Sequence, residues 1–200
     1  MKTVRYLLWA LVLVAGAAFA FIWTGGNQPP TDEIKLVDKL GGPFELTRHD
    51  GNTVTEKDLT GRSHAIFFGF THCPEICPTT LYEVSGWLNE LGDTKDNIDV
   101  YFITVDPERD TQEILATYIN SFSNRVSALT GSPEQIQKVI SGYKIFAEKI
   151  PLEDDDYTMD HTATILLFKP NGELLGTIGY GENSTTAIAK LKRLAQVGKS

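Results

Sequence analysis

Cys73 and Cys77 are the only cysteines in this 200-residue chain. They stand in F-G-F-T-H-C-P-E-I-C-P, where a run of strand-forming residues gives way to a helix. Their spacing is i and i+4, so one helical turn starting here puts both sulfurs on one face. Two chemistries suit such a pair: sharing a soft metal ion, or closing a disulfide where the Cα atoms come within about 4.4 to 6.8 Å. A helix N-terminus lowers a thiol pKa and favours the thiolate that either chemistry needs. The motif is not the Cys-x-x-Cys of common thiol-disulfide exchangers. A structural disulfide, or two inert buried thiols, is the simpler alternative. Each cysteine is followed by Pro at a strand exit, which favours a site.

Soft thiolates select Cu(I), zinc or iron-sulfur clusters, and imidazole suits copper and zinc. The chain has four histidines. His49 lies in a hairpin and reads as surface, and His64 opens a strand as a boundary residue. His72 adjoins Cys73, but neighbouring side chains in extended backbone point to opposite faces. His161, in Y-T-M-D-H-T, stands just before a core strand and after the acidic run 153–156. It is the candidate third ligand, on a loop able to approach the cysteine helix; the alternative is a loop histidine that only titrates. Asp106, in V-D-P-E-R-D-T, ends a strand on the same edge. It can position a ligand, move a proton or contact a partner; alternatively, with Arg109 and Asp110, it closes a loop and caps a helix.

The elements that must position these residues read as alternating β and α. Residues 44–47 and 53–55 flank Asp50-Gly51-Asn52, a hairpin signal. His64 to Thr71 contains the continuous apolar run A-I-F-F, suited to a strand covered on both faces. Pro78 fits a first helical turn, and Leu81, Val84, Leu88 and Leu91 mark one helix face. Residues 100–105 form the next strand. Asp110 or Thr111 caps a helix with Ile114, Leu115, Tyr118, Ile119 and Phe122 as its apolar face. Ser132-Pro133-Glu134-Gln135 is a capping box with Pro at the first helical position. Residues 162–168 and 173–180 flank the turn Pro170-Asn171-Gly172, and a last helix carries Ile188, Leu191 and Leu194. The order describes an α/β sheet with helices on both faces, whose ligand sites lie at the carboxyl ends of the strands.

The formal net charge is −8, and more negative once Lys2 and Arg5 are set aside with the apolar segment that follows them. An acidic body argues against nucleic acid and anionic lipid surfaces as partners. No internal repeat, low-complexity tract or nucleic-acid fingerprint is present. Residues 6–24 carry no charge and span about 28 Å as a helix, enough to cross a bilayer. The preceding Lys2 and Arg5 place the N-terminus inside and the domain outside. Ala18-Phe19-Ala20 also fits a signal-peptide cleavage site, but the apolar run continues through Trp23, which favours an uncleaved anchor. The expected organisation is a transmembrane anchor or signal peptide over 1–24, a linker over 25–35 and one domain over 36–200.

Taken together, F-F-G-F-T-H-C-P-E-I-C-P-T-T-L, V-D-P-E-R-D-T, L-T-G-S-P-E-Q-I and Y-T-M-D-H-T-A with L-L-F-K-P-N-G-E-L resemble the SCO/SenC proteins. These are membrane-anchored, thioredoxin-like copper proteins of cytochrome c oxidase assembly. The resemblance runs from about residue 42 to 194. It implies a thioredoxin-like central sheet with flanking helices, an added N-terminal β-hairpin and a β-hairpin before the last helix. It implies copper ligation by Cys73, Cys77 and His161, trigonal for Cu(I), with a further ligand for Cu(II). Met159 is a weak axial candidate, at a position where the family usually carries an aliphatic residue. The implied function is a copper chaperone for the binuclear copper centre of cytochrome c oxidase subunit II. The domain would then lie in the periplasm or an equivalent outer compartment, with a single span in the inner membrane. A second periplasmic copper chaperone and a thioredoxin-like reductase are further implied partners. The alternative is a thiol-disulfide oxidoreductase in which Cys73 and Cys77 cycle as a redox pair on the same target. A peroxidase lacks its P-x-x-x-T-x-x-C arrangement, and a structural zinc site lacks a fourth ligand.

Overall fold

The computed structural model describes residues 40–154 and 156–197, together with Tyr6, Trp9, Val14, Gly16 and Phe19. The chain divides into two units, Met1–Val37 and Asp38–Ser200. The five described residues of the first unit are helical and exposed. Among the described residues no helix is long and apolar enough to cross a membrane. The rest of the expected anchor, and the whole 25–35 linker, lie outside the described residues.

The second unit is built on a seven-stranded sheet whose order, edge to edge, is Thr53–Thr55 (β2), Glu45–Arg48 (β1), Val126–Thr130 (β5), Ile98–Thr104 (β4), Ser63–Gly69 (β3), Thr164–Phe168 (β8) and Leu174–Gly179 (β9). At its centre β3 (Ser63–Gly69) is buried at all seven positions, as a continuous apolar run covered on both faces requires. It pairs in parallel with β4 (Ile98–Thr104), which pairs in parallel with β5 (Val126–Thr130). Parallel neighbours need long crossovers. α1 (Ile76–Glu90), a 3-10 turn (Gly92–Asn97) and α2 (Gln112–Asn120) supply them. The expected N-terminal hairpin is β1 (Glu45–Arg48) and β2 (Thr53–Thr55), joined antiparallel to β5. On the other side β8 (Thr164–Phe168) pairs antiparallel with β3 and with β9 (Leu174–Gly179). α3 (Pro133–Gly142) starts with the expected capping box, and α4 (Ser184–Val197) buries Ile188, Leu191 and Leu194.

Several expectations change. Thr111, not Asp110, caps α2, its side chain accepting from the Ile114 amide. Asp110 is instead fully buried, drawn into bonds with Thr71 and Thr104. Ile114 is 42% exposed, so the buried stripe of α2 is Leu115 and Ile119. His64 is no boundary residue: it is 3% exposed, with its ring stacked 5.1 Å from that of Phe168. His49 is half-buried, and its Nδ1 accepts the Ala128 amide at 3.0 Å. The acidic run before His161 lies between the two strands of a second sheet, β6 (Ala147–Pro151) and β7 (Tyr157–His161), and His161 ends the latter.

Candidate metal centre

The thiol half of the site lies where β3 leaves the sheet. Val105 donates its amide to the Gly69 carbonyl at 2.8 Å, so β3 and β4 stay joined up to the exit. The following turn is tied down by Asp110, whose carboxylate accepts from both Thr71 Oγ1 and Thr104 Oγ1 at 2.6 Å. Burial pushes the Asp110 carboxyl up from its ordinary value, against those hydrogen bonds. Cys73 follows the turn and is half-buried; Cys77 is the second residue of α1 and wholly buried. The N-cap Glu75 offers no side-chain acceptor, and Cys73 Sγ receives the Cys77 amide at 3.4 Å. The first sulfur thus caps the helix that carries the second, a variation on the single helical face expected from the spacing.

Both cysteines are free thiols in this structure. The hydrogen bond from Cys77 holds the Cys73 thiol far down, to about 4, aided by the backbone amides of Cys77 and Glu75. The same Cys73 sulfur, with burial, pushes the Cys77 thiol up. Gly69 makes room for this pair. A Cβ there would stand 2.7 Å from Phe102 Cε2 and 2.9 Å from Cys77 Sγ.

The imidazole half comes from β7. His161 is its last residue, paired with Ala147 across the hairpin. Its Nδ1 lies 3.1 Å from the Thr162 carbonyl oxygen, which can only accept, so the proton belongs on Nδ1. That leaves the Nε2 lone pair facing Cys77 Sγ at 3.6 Å. Pinning one ring nitrogen on a carbonyl is how metal-binding histidines are usually oriented. Phe70 packs its ring edge-on against the imidazole, 5.7 Å between centroids. The two halves face each other across a cleft of about 250 Å³ lined in part by Cys73, Met159 and His161.

The donor set fits a thiophilic metal ion. Bonds of about 2.3 Å to sulfur and about 2.0 Å to nitrogen, at a trigonal angle, separate the donor atoms by about 3.7 Å, close to the spacing of Cys77 Sγ and His161 Nε2. Among the described residues no three His, Cys, Asp or Glu side chains are already gathered as a closed metal cage. The expected ligands are linked pair by pair, Cys73 to Cys77 and Cys77 to His161. His72 is exposed and bonded to the Thr71 hydroxyl, outside this grouping. Met159 is half-buried and lines the cleft.

Asp106 is not beside the sulfurs. It is 2% exposed at the end of β4, where its carboxylate accepts from Arg109 Nε and, at 2.8 Å, from Tyr157 Oη. No role for Tyr157 or Gly69 was legible in the sequence, and Asp110 read there only as a loop-closing or helix-capping residue. A period of two in Tyr157, Met159 and His161 was the available signal for a strand presenting these three on one face.

Two thiols and an imidazole thus meet at the strand ends of a thioredoxin-like sheet with flanking helices. The SCO1/SenC family model matches residues 32–196, and the chain belongs to that family. The mitochondrial SCO1 homolog of Homo sapiens is 39% identical over 155 residues, covering 76% of this chain and 52% of that protein. The chain spans about half the length of the mammalian and plant relatives it matches. The structure of Bradyrhizobium japonicum ScoI with copper bound superposes with a TM-score of 0.73 at 44% identity, covering 78% of this chain and 99% of that one. BsSco, described as having a disulfide switch and belonging to the Sco family of cytochrome c oxidase assembly proteins, shares the fold. Its TM-score is 0.64 at 23% identity, over 79% of this chain and 94% of that one.

Proposed function

We propose that this protein is a copper chaperone that takes up copper through Cys73, Cys77 and His161. It then passes the ion by ligand exchange to the binuclear copper centre of cytochrome c oxidase subunit II. The observation that carries this reading is the His161 Nε2 lone pair, fixed by the Thr162 carbonyl and directed at Cys77 Sγ from a separate hairpin. The copper-bound ScoI relative supports the choice of metal. Two thiolates and one imidazole make a soft trigonal set for Cu(I), and a further ligand accommodates Cu(II). Because one ligand stands on its own hairpin, transfer can begin by losing the imidazole while the sulfurs keep the ion. The domain works outside the inner membrane, held there by the apolar segment within residues 1–24.

A second reading, thiol-disulfide exchange on the same target, has its own support in the asymmetry of the two thiols. A depressed, half-exposed Cys73 suits the attacking sulfur and a buried Cys77 the resolving one. In that reaction the two thiols become a disulfide while a target disulfide takes up the two electrons and two protons. Titrating the reduced full-length chain with Cu(I) against a competing chelator separates the readings. The chaperone reading expects one ion per chain and affinity losses of at least about tenfold in both His161→Ala and Cys77→Ser. Wild-type affinity in His161→Ala refutes it and leaves thiol exchange.

A further inference from the structure

The sheet order leaves a mechanical question: β6 and β7 pair only with each other, apart from the seven-stranded sheet that carries both cysteines. Something else must fix His161 over Cys77. At the base of the hairpin, Thr162 and Phe146 bond reciprocally, the Thr162 amide to the Phe146 carbonyl at 3.0 Å and the Phe146 amide to Thr162 Oγ1 at 3.1 Å. That closes the hairpin on itself and leaves its tilt toward the thiols undetermined.

The far end is where it is held. Tyr157 opens β7 and stands at i−4 from His161, so the two share a strand face about 13 Å apart. Its hydroxyl donates to buried Asp106 at 2.8 Å, and its carbonyl accepts from Arg109 Nη1 at 2.9 Å. The Arg109 guanidinium lies 3.7 Å from the Tyr157 ring centroid, with Lys149 Nζ 4.0 Å from the same centroid. Lys149 in turn reaches Glu108 at 2.8 Å. Asp106 is itself immobilised, its amide bonded to Thr104 Oγ1 at 2.9 Å and its carboxylate paired with Arg109. Thr104 is the register partner of Gly69, the residue beneath Cys77. The clamp on the hairpin and the turn carrying the thiols therefore spring from adjacent strand ends of one rigid sheet.

We propose that Asp106 and Arg109 are positioning residues that act through Tyr157, holding β7 against the end of β4 so that His161 stays in register with Cys77. The consequence for copper rests on the chaperone reading; the mechanical role does not. Tyr157→Phe is the gentle probe, because it removes the hydroxyl and keeps the ring under Arg109. In the reduced, metal-free full-length chain, amide exchange along β7 should quicken by about tenfold, the scale of one lost hydrogen bond, while β3 and β4 amides keep wild-type rates. Cu(I) affinity should fall several-fold in Tyr157→Phe, and Tyr157→Phe should cause no further loss in a His161→Ala background. Wild-type exchange in β7 of Tyr157→Phe overturns the proposal. So does an affinity loss of equal size in both backgrounds, which means a general structural role. Should His161→Ala alone bind copper like wild type, the chaperone reading falls and the exchange measurement still decides the clamp.

Discussion

Of the two sulfurs, the one that caps a helix is the one poised to ionise. Cys73 accepts the Cys77 amide and is held down to about 4, whereas Cys77 sits fully buried and is pushed up. An ordinary thiol loses about two orders of magnitude of its thiolate between pH 8 and pH 6. Alkylation of Cys73 in the reduced, metal-free protein should instead keep its rate within about twofold over that range. A rate that falls with the ordinary slope contradicts this arrangement. Gly69 is the other residue whose identity is dictated by the sulfurs. In Gly69→Ala the new methyl meets Phe102 and Cys77 Sγ inside a packed core, where overpacking costs about 1–3 kcal/mol. Urea denaturation should register that cost, and Cu(I) affinity should fall with it. The spacing of the cysteines, and the soft-ligand chemistry that singled out His161, were legible in the sequence. Tyr157 and Gly69 were not, because each acts through a neighbour distant in sequence.

The elements divide the site into a stiff part and an attached part. The thiols ride on the β3–α1 connection, fastened to β4 through Asp110 and the Gly69–Val105 bond. The imidazole rides on a hairpin with its own small sheet. The central strands were legible because β3 and β4 are nearly continuous apolar runs. The β6–β7 hairpin was hidden by its composition: β6 reads A-E-K-I-P and is mostly exposed, so no alternation betrays a buried face. Short β5, V-S-A-L-T, was missed for a related reason, its strand state being set by its neighbours β4 and β1. Local signals did well where the chemistry is local. The capping box of α3 formed as expected, with the Ser132 side chain accepting from Gln135 and the Gln135 side chain accepting from the Ser132 amide. Ser132→Ala should cost about 1 kcal/mol of stability by urea denaturation. It should leave copper binding alone, since α3 packs against β1, three strands away from β3 in the sheet. A copper-affinity change in that variant contradicts the division into independent elements.

For the folded domain as a whole, the core contains a titratable group that the site does not use. Burial pushes His64 below its ordinary value, with the Arg62 carbonyl and the charge of Asp99 opposing only in part. The unfolded chain takes up a proton near pH 6.5 that the folded chain refuses until lower pH. Stability therefore falls as the pH drops below about 6.5. His64→Phe should flatten that limb of a stability-versus-pH curve, and an unchanged slope would mean that the ring titrates freely. This effect was not legible in the sequence, where His64 merely opened a strand; the rings of Phe168 on β8 and Tyr101 on β4 pack against it. At the other end of the sheet, where thiols and imidazole meet, X-ray absorption of the Cu(I)-loaded, full-length chain reads the copper shell itself. Two sulfurs and one imidazole nitrogen are expected around copper, with the imidazole scattering lost in His161→Ala. A two-sulfur shell with no imidazole in the wild-type protein would contradict copper ligation by Cys73, Cys77 and His161.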